Sequence, residues 1–192
     1  MATMTREAVE EILKDKGTSR LKGSDLHGID LNHADLQGVD LTEADLESAN
    51  LQWANLQRAD LRGANLSHAD LWRANLANTM LDDKTQMDAR WYLVWDVFNH
   101  ALGVRRDLWG ADMSGAYLRS AYLFADLNGA NLSNTDLTAA QLRFADLRDA
   151  DLSGADLLGA RLTMADLRGA KLTNANLEGA DTSSAVFTDA DL

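Results

Sequence analysis

Residues 41–61 read Leu-Thr-Glu-Ala-Asp-Leu-Glu-Ser-Ala-Asn-Leu-Gln-Trp-Ala-Asn-Leu-Gln-Arg-Ala-Asp-Leu. Leucine returns every fifth residue, with Ala two residues before it and Asp or Asn one before. The ladder extends in both directions, from Leu21 to Leu81 in thirteen unbroken rungs, and a second ladder runs from Leu108 to Leu192. A period of five suits neither regular element. On an α-helix, residues five apart are rotated by about 140° beyond a full circle, so the leucines would face every direction. On a flat strand an odd spacing turns each one to the opposite face. The leucines share one interior only if the backbone turns a corner within every repeat and winds about a common axis, which is a β-solenoid whose turns stabilise one another by stacking.

The other repeat positions agree. Two residues before the rung stands a small residue, as at Ala44, Ala49, Ala54, Ala59 and Ala64, which fits a second inward position with less room. The two residues after the rung are polar or Gly and belong outside. Of the thirteen glycines, eleven fall two residues after a rung, where a corner calls for positive φ. The exceptions, Gly17 and Gly103, each follow a segment of helical pattern and are expected as helix C-caps. Proline is absent, in keeping with a backbone whose amides are all used in ladder hydrogen bonds.

Composition removes several function classes. No stretch approaches the roughly 20 apolar residues that span a bilayer, so no membrane partner is expected. The first sixteen residues are charged throughout and carry no secretory-type apolar run, which gives an expectation of a cytoplasmic protein. Without cysteine there is no disulfide framework and no thiolate ligand or nucleophile. A formal charge of −12 argues against direct nucleic-acid binding, which relies on Lys and Arg to neutralise phosphates.

In chain order, residues 1–18 form an N-terminal helical cap. Thr5 is its N-cap, and Val9, Ile12 and Leu13 are its apolar stripe, which covers the open end of the coil. Residues 19–83 carry the first part of the ladder. Residues 84–105 break it with an inserted amphipathic helix, for which Thr85 and Asp88 read as a capping box and Met87, Trp91, Val94, Trp95, Phe98 and Leu102 as the apolar face. Residues 106–192 resume the ladder, and the whole is expected to be one structural domain. One step, Leu123 to Leu127, is four residues long, which predicts a tightened corner near Phe124 and Ala125.

These motifs, Ala-Asp-Leu-x-x and Ala-Asn-Leu-x-x in about 31 tandem copies over four fifths of the chain, resemble the pentapeptide-repeat family. The segment 85–99 is similar to the helical insert of many cyanobacterial members. The resemblance implies an all-β solenoid, a right-handed quadrilateral β-helix with four repeats per turn and about eight coils. Residues 20 apart then stack on one outer face. Trp53 and Trp72 form one such aromatic stripe, and Phe124, Phe144 and Met164 form a second. One stripe is expected to receive the insert helix, whose Trp91, Trp95 and Phe98 need burial. These eight residues are the candidate interaction surface.

Catalytic chemistry finds no support in the sequence. Most carboxylates occupy the position before the rung, Asp25, Asp35, Asp45, Asp126, Asp146 and Asp166 among them, where the repeat accounts for their spacing and nothing singles out a pair in unlike environments. His27, His33, His68 and His100 do not converge with one another as metal ligation requires. No glycine motif cradles a phosphate. The expectation is a non-catalytic structural or protein-interaction module with no cofactor, an unidentified protein partner, and a monomeric or weakly end-to-end dimeric state. The alternative is an acidic DNA mimic, because some pentapeptide-repeat proteins resemble duplex DNA in width and charge and bind DNA gyrase, as those associated with quinolone resistance do. Arg58, Arg62, Arg73, Arg119, Arg143, Arg148 and Arg168 interrupt the acidic surface that this alternative needs.

Overall fold

The computed structural model describes residues 4–14, 21–99 and 105–191, so the C-cap positions expected at Gly17 and Gly103 lie outside the described residues. The chain forms two compact units, Met1–Trp95 and Asp96–Leu192.

In unit 1 each residue before a rung from Asp25 to Asp60 pairs in parallel with the residue 20 further on, as in Asp25 with Asp45, Asp30 with Asn50, Asp35 with Asn55 and Asp40 with Asp60. Four five-residue repeats therefore make one coil, and the coil has four sides. Every side follows the same rule. The amide three residues past the rung donates back to the rung carbonyl, as Ala34 N does to Leu31 O at 3.0 Å, closing a β-turn. The second central residue of that turn has φ near +60°, at seventeen non-glycine positions such as His33, Trp53 and Phe144 as well as at the eleven glycines. One such φ is the mark of a type II turn. Because each side holds only one paired residue before the next corner, extended strands are at most two residues long: β1 (Asn65–Leu66), β2 (Gln86–Met87), β3 (Arg106–Asp107) and β4 (Ala125–Asp126).

The preference for Asp or Asn before the rung has a local cause. Its side-chain oxygen accepts the amide two residues on, as Asp30 Oδ1 does from Asn32 N at 3.0 Å and Asn50 Oδ1 from Gln52 N at 3.1 Å, an Asx turn that sets up the corner. Inside, Leu26, Leu36, Leu46, Leu56 and their neighbours are fully buried, with Ala49, Ala59 and Ala64 alternating between them. Each fully buried leucine contributes about 1.5–3 kcal/mol of transfer free energy. Where Thr replaces Ala inside, its hydroxyl is satisfied by backbone: Thr79 Oγ1 donates to Leu76 O at 2.9 Å, and Thr135 Oγ1 donates to Met113 O at 3.1 Å.

At both ends of the unit 1 coil other groups take over ladder hydrogen bonds. At the start, α1 (Arg6–Lys14) follows Met4, whose amide donates to Asp25 O at 2.9 Å, while Arg6 donates to Asp30 O and Asn32 O at 3.4 and 3.1 Å. Within the coil, carbonyls in these positions accept amides from the preceding turn. Thr5 Oγ1 caps α1 by accepting Ala8 N at 3.3 Å, and Val9 is buried. At the other end, Asp82 Oδ1 takes the amide of Gly63 at 2.8 Å and Asp88 Oδ1 takes that of His68 at 3.3 Å, side chains replacing ladder carbonyls. The chain is one residue longer here, so β2 pairs with β1 across 21 residues.

The insert differs from the sequence reading in three respects. Among the described residues α2 spans Ala89–Asn99, and Gln86–Met87 still belong to the ladder. Thr85 and Asp88 do not form a capping box. Thr85 Oγ1 donates to Leu61 O at 3.0 Å, and it is the Asp88 carbonyl that receives the first helical amides, those of Trp91 and Tyr92. Third, the bond that seats α2 in unit 1 goes to the end of the ladder. Trp95 Nε1 donates to Thr79 O at 2.9 Å, where the next coil's amide would otherwise bond, so the helix closes the end of the ladder.

Unit 2 repeats the architecture with one change. Across its first coil the pairings are 19 residues apart, as in Asp112 with Asn131, Tyr117 with Asp136 and β3 with β4. From Asp126 with Asp146 onward they return to 20. The corner after Leu123 has lost the residue that would carry positive φ, so Phe124 alone joins Leu123 to Ala125. Arg106 clamps the C-terminal part of α2 through Asp96, with contacts of 2.6 Å to Oδ2 and 3.0 Å to the carbonyl. Among the described residues no helix is long and apolar enough to cross a membrane.

Candidate interaction surface

With the interior committed to leucine and alanine, chemistry is confined to the positions that point outward. In unit 1 the corner residues His33, Trp53 and Arg73 follow one another at 20-residue intervals and stack. The His33 and Trp53 rings are 5.8 Å apart and nearly parallel at 13°, and the Arg73 guanidinium lies 5.4 Å from the Trp53 ring. Trp53 is 48% exposed. Trp72, one position before Arg73, is half-buried, and its carbonyl accepts the Trp53 amide at 2.8 Å. The expected pairing of Trp53 and Trp72 on one face is therefore present through the backbone, but the ring partners of Trp53 are His33 and Arg73.

In unit 2 Phe124, Phe144 and Met164 form the second corner column and are 45%, 50% and 54% exposed. Only Phe144 has a charged neighbour on its ring, the Arg143 guanidinium at 5.7 Å. The three insert residues behave differently: Trp91 and Trp95 are buried and Phe98 is half-buried, so the helix aromatics serve packing. Sequence reading passed over Trp109, the most exposed large apolar residue at 71%, whose indole N–H donates to Asn128 Oδ1 at 3.0 Å. It also passed over Tyr122. Trp109 sits one residue after its rung, the position of Trp72, and has no aromatic partner one coil away. Its outward position was legible, while a search for stripes could not find it.

Acidic side chains before the rung are tied into the scaffold. Asp60, Asp146 and Asp166 are each gripped by the arginine two residues later, with N–O distances of 2.6 Å to Arg62, Arg148 and Arg168. The arginine hydrogen bond is the largest cause that holds each carboxyl below its ordinary range. Asp82 is likewise held down, first by the Gly63 amide. Groups kept ionised in this way are poorly suited to donate a proton near neutrality. A shallow cleft of about 230 Å³ is lined by Lys22, Thr42, Glu43, Arg62, Gly63, Asp82 and Lys84, and two of its charged groups, Arg62 and Asp82, are already engaged.

One convergence was missed because histidines were compared only with histidines. His27 comes together with Asp45 and Glu47 of the next coil, one ligand atom of each lying within 4.8 Å of the others.

A four-sided β-solenoid with type II corners, Asx turns before most rungs and aromatic residues on some outer corners defines a scaffold that presents side chains in columns. The pentapeptide repeats profile matches in 8 copies, at residues 24–63, 59–83, 124–154, 136–174 and 165–192. The chain belongs to the pentapeptide-repeat family. Solved structures similar to it include a pentapeptide repeat protein from the Arabidopsis thaliana thylakoid lumen, at 37% identity over 46% of this chain, with a TM-score of 0.44. This chain spans 65% of that protein's length. HetL, a pentapeptide repeat protein involved in heterocyst differentiation regulation in the cyanobacterium Nostoc sp. strain PCC 7120, is 27% identical over 98% of this chain and 95% of its own, with a TM-score of 0.39. QnrB1, a plasmid-mediated fluoroquinolone resistance protein, is 20% identical over 91% of this chain and 79% of its own, with a TM-score of 0.36. Membership of this family implies a right-handed quadrilateral β-helix. No curated protein sequence matches significantly.

Proposed function

We propose that this protein is a non-catalytic interaction module whose outer corner columns bind a protein partner in the cytoplasm. The observation that carries the reading is the column Phe124, Phe144 and Met164, three large apolar side chains in register and about half exposed on a molecule whose interior is otherwise filled. A contiguous apolar patch on a charged surface marks a contact site. Family membership supports the reading at the level of a scaffold. The finer features belong to the same proposal: one domain of about eight right-handed coils, and association no stronger than a weak end-to-end dimer. The DNA-mimic reading requires uninterrupted acidic columns, and the arginine clamps on Asp60, Asp146 and Asp166 interrupt them.

The test is affinity capture from the native cell with the full chain and with the double variant Phe144→Ala/Met164→Ala. A partner retained by the parent and lost by the variant, with unchanged thermal melting, supports the column as the site. A partner held equally by both removes it. Inhibition of gyrase supercoiling by micromolar protein would replace this proposal with the mimic, and cell fractionation tests the compartment.

A further inference from the structure

On one outer side of unit 1 the 20-residue coil repeat places His27 beside Glu47, each one residue after its rung, with Asp45 one residue before the same rung as Glu47. One imidazole nitrogen and one oxygen from each carboxylate lie within 4.8 Å of one another. We infer that His27, Asp45 and Glu47 form a binding site for a divalent transition-metal cation of the zinc class.

The backbone and a neighbouring amide already hold the donors. Asp45 Oδ1 accepts the Glu47 amide at 3.1 Å, which orients its carboxylate toward the side chain it must join. Asn65, one coil further, donates its Nδ2 to Asp45 Oδ1 at 3.3 Å and to Glu47 Oε2 at 3.2 Å, drawing two like-charged groups together without supplying a charge to offset them. Among the described residues neither carboxylate is in an ion pair, and no hydrogen bond reaches the His27 ring. A bound cation would satisfy all three groups at once.

The donor set selects among cations. Zinc binds imidazole nitrogen at about 2.0–2.1 Å and carboxylate oxygen at about 2.0–2.2 Å, so tetrahedral ligands stand roughly 3.4 Å apart. His27 is exposed and Glu47 half-buried, so side-chain rotation alone brings three atoms from a 4.8 Å envelope to that spacing. Water fills the fourth position. An imidazole ligand favours zinc over magnesium, which prefers six oxygens. Occupation joins two successive coils from outside the core, so it stabilises the native state by mass action.

The test is titration calorimetry of the full chain with Zn²⁺, repeated with His27→Ala and Glu47→Gln. All of these positions are outward, so the leucine ladder is untouched, and circular dichroism checks that. Asp35→Asn is the matched control, because Asp35 also receives a neighbouring Asn amide, from Asn55 at 2.9 Å, and the amide of Gln37, but lies outside the His27 cluster. One equivalent of Zn²⁺ is expected, weakened by roughly tenfold or more in His27→Ala and Glu47→Gln and unchanged in Asp35→Asn. Mg²⁺ is not expected to compete. Saturating Zn²⁺ raises the melting temperature of the parent and not of His27→Ala. Failure to reach one saturable equivalent, parent-like binding by His27→Ala, or equal competition by Mg²⁺ would each overturn the site and leave a diffuse acidic surface in its place.

Discussion

The corner columns of the two units occupy the same repeat position, two residues after the rung in unit 1 and at Phe144 and Met164 of unit 2, with φ close to +60° in both. They are built differently. In unit 1 the Trp53 ring has ring partners from its own chain, His33 of the coil before and Arg73 of the coil after, although it stays 48% exposed. In unit 2 Phe144 has only Arg143 of its own repeat, and Phe124 and Met164 present apolar surface to solvent. A uniform interior leaves the corner side chain free in identity. Whether it satisfies itself or stays available is decided by the residues 20 before and 20 after it.

The largest test of this comparison concerns what the units have in common. If the difference is confined to the outside, inner rungs must be equivalent, so Leu51→Ala and Leu152→Ala, both fully buried, should each destabilise by about 2–5 kcal/mol in urea unfolding. A near-zero effect of either would place that side chain outside the core. Trp95→Ala should belong to the same range, about 3–5 kcal/mol, because it empties a buried site and removes the donor to Thr79 O.

A sharper test acts on the corners. A non-glycine residue at positive φ carries roughly 1–2 kcal/mol of local strain, which glycine relieves. Phe144→Gly also loses the Arg143 cation–π contact, about 0.5–1 kcal/mol, so after the entropy that glycine adds to the unfolded chain it should leave stability close to unchanged. Trp53→Gly relieves the same strain but loses a stacked ring, about 0.5–1.5 kcal/mol, and a cation–π contact of about 0.5–1 kcal/mol, so its net effect should be zero or destabilising. Gly154→Ala is the reverse case: φ is +67° and an added Cβ would stand 2.6 Å from Asn134 Oδ1 of the preceding coil. It should cost about 1 kcal/mol or more. Calorimetric melting of the three variants side by side decides the matter, and equal shifts for Phe144→Gly and Trp53→Gly would break the distinction between the columns.

Much of this was legible because the repeat speaks thirty-one times. Leu, Ala and the Asp or Asn before the rung report interior, inner filler and Asx turn independently of where in the coil they stand, and the short step from Leu123 to Leu127 located the altered corner of unit 2. What failed was everything that depends on where a coil ends. Asp82, Asp88 and the Trp95 indole replace ladder groups where the five-residue step stops, and a local helix pattern at 84–105 gave no sign of that. The grouping of His27 with Asp45 and Glu47, and of Trp53 with His33 and Arg73, emerges only after the 20-residue stacking is applied to every outward residue, charged as well as aromatic.

The smallest expected effect concerns the clamped carboxylates, where the units differ in number. Unit 2 has two in successive coils, Asp146 with Arg148 and Asp166 with Arg168, and unit 1 has Asp60 with Arg62. Each carboxyl is held below its ordinary range, chiefly by the arginine hydrogen bond. A folded-state pKa lowered in this way adds stability that is fully present above the unfolded carboxylate value of about 3.9 and disappears as pH falls through the lower folded values. The arginines are about half exposed, so solvent screening keeps each contribution modest. Arg148→Gln/Arg168→Gln should consequently melt slightly below the parent at pH 7 and converge with it in strong acid, and Arg62→Gln should do the same to a lesser degree. Melting temperature recorded against pH reads this directly. A gap that persists undiminished into strong acid would mean that the arginines act through packing of their stems and not through the carboxylates they clamp.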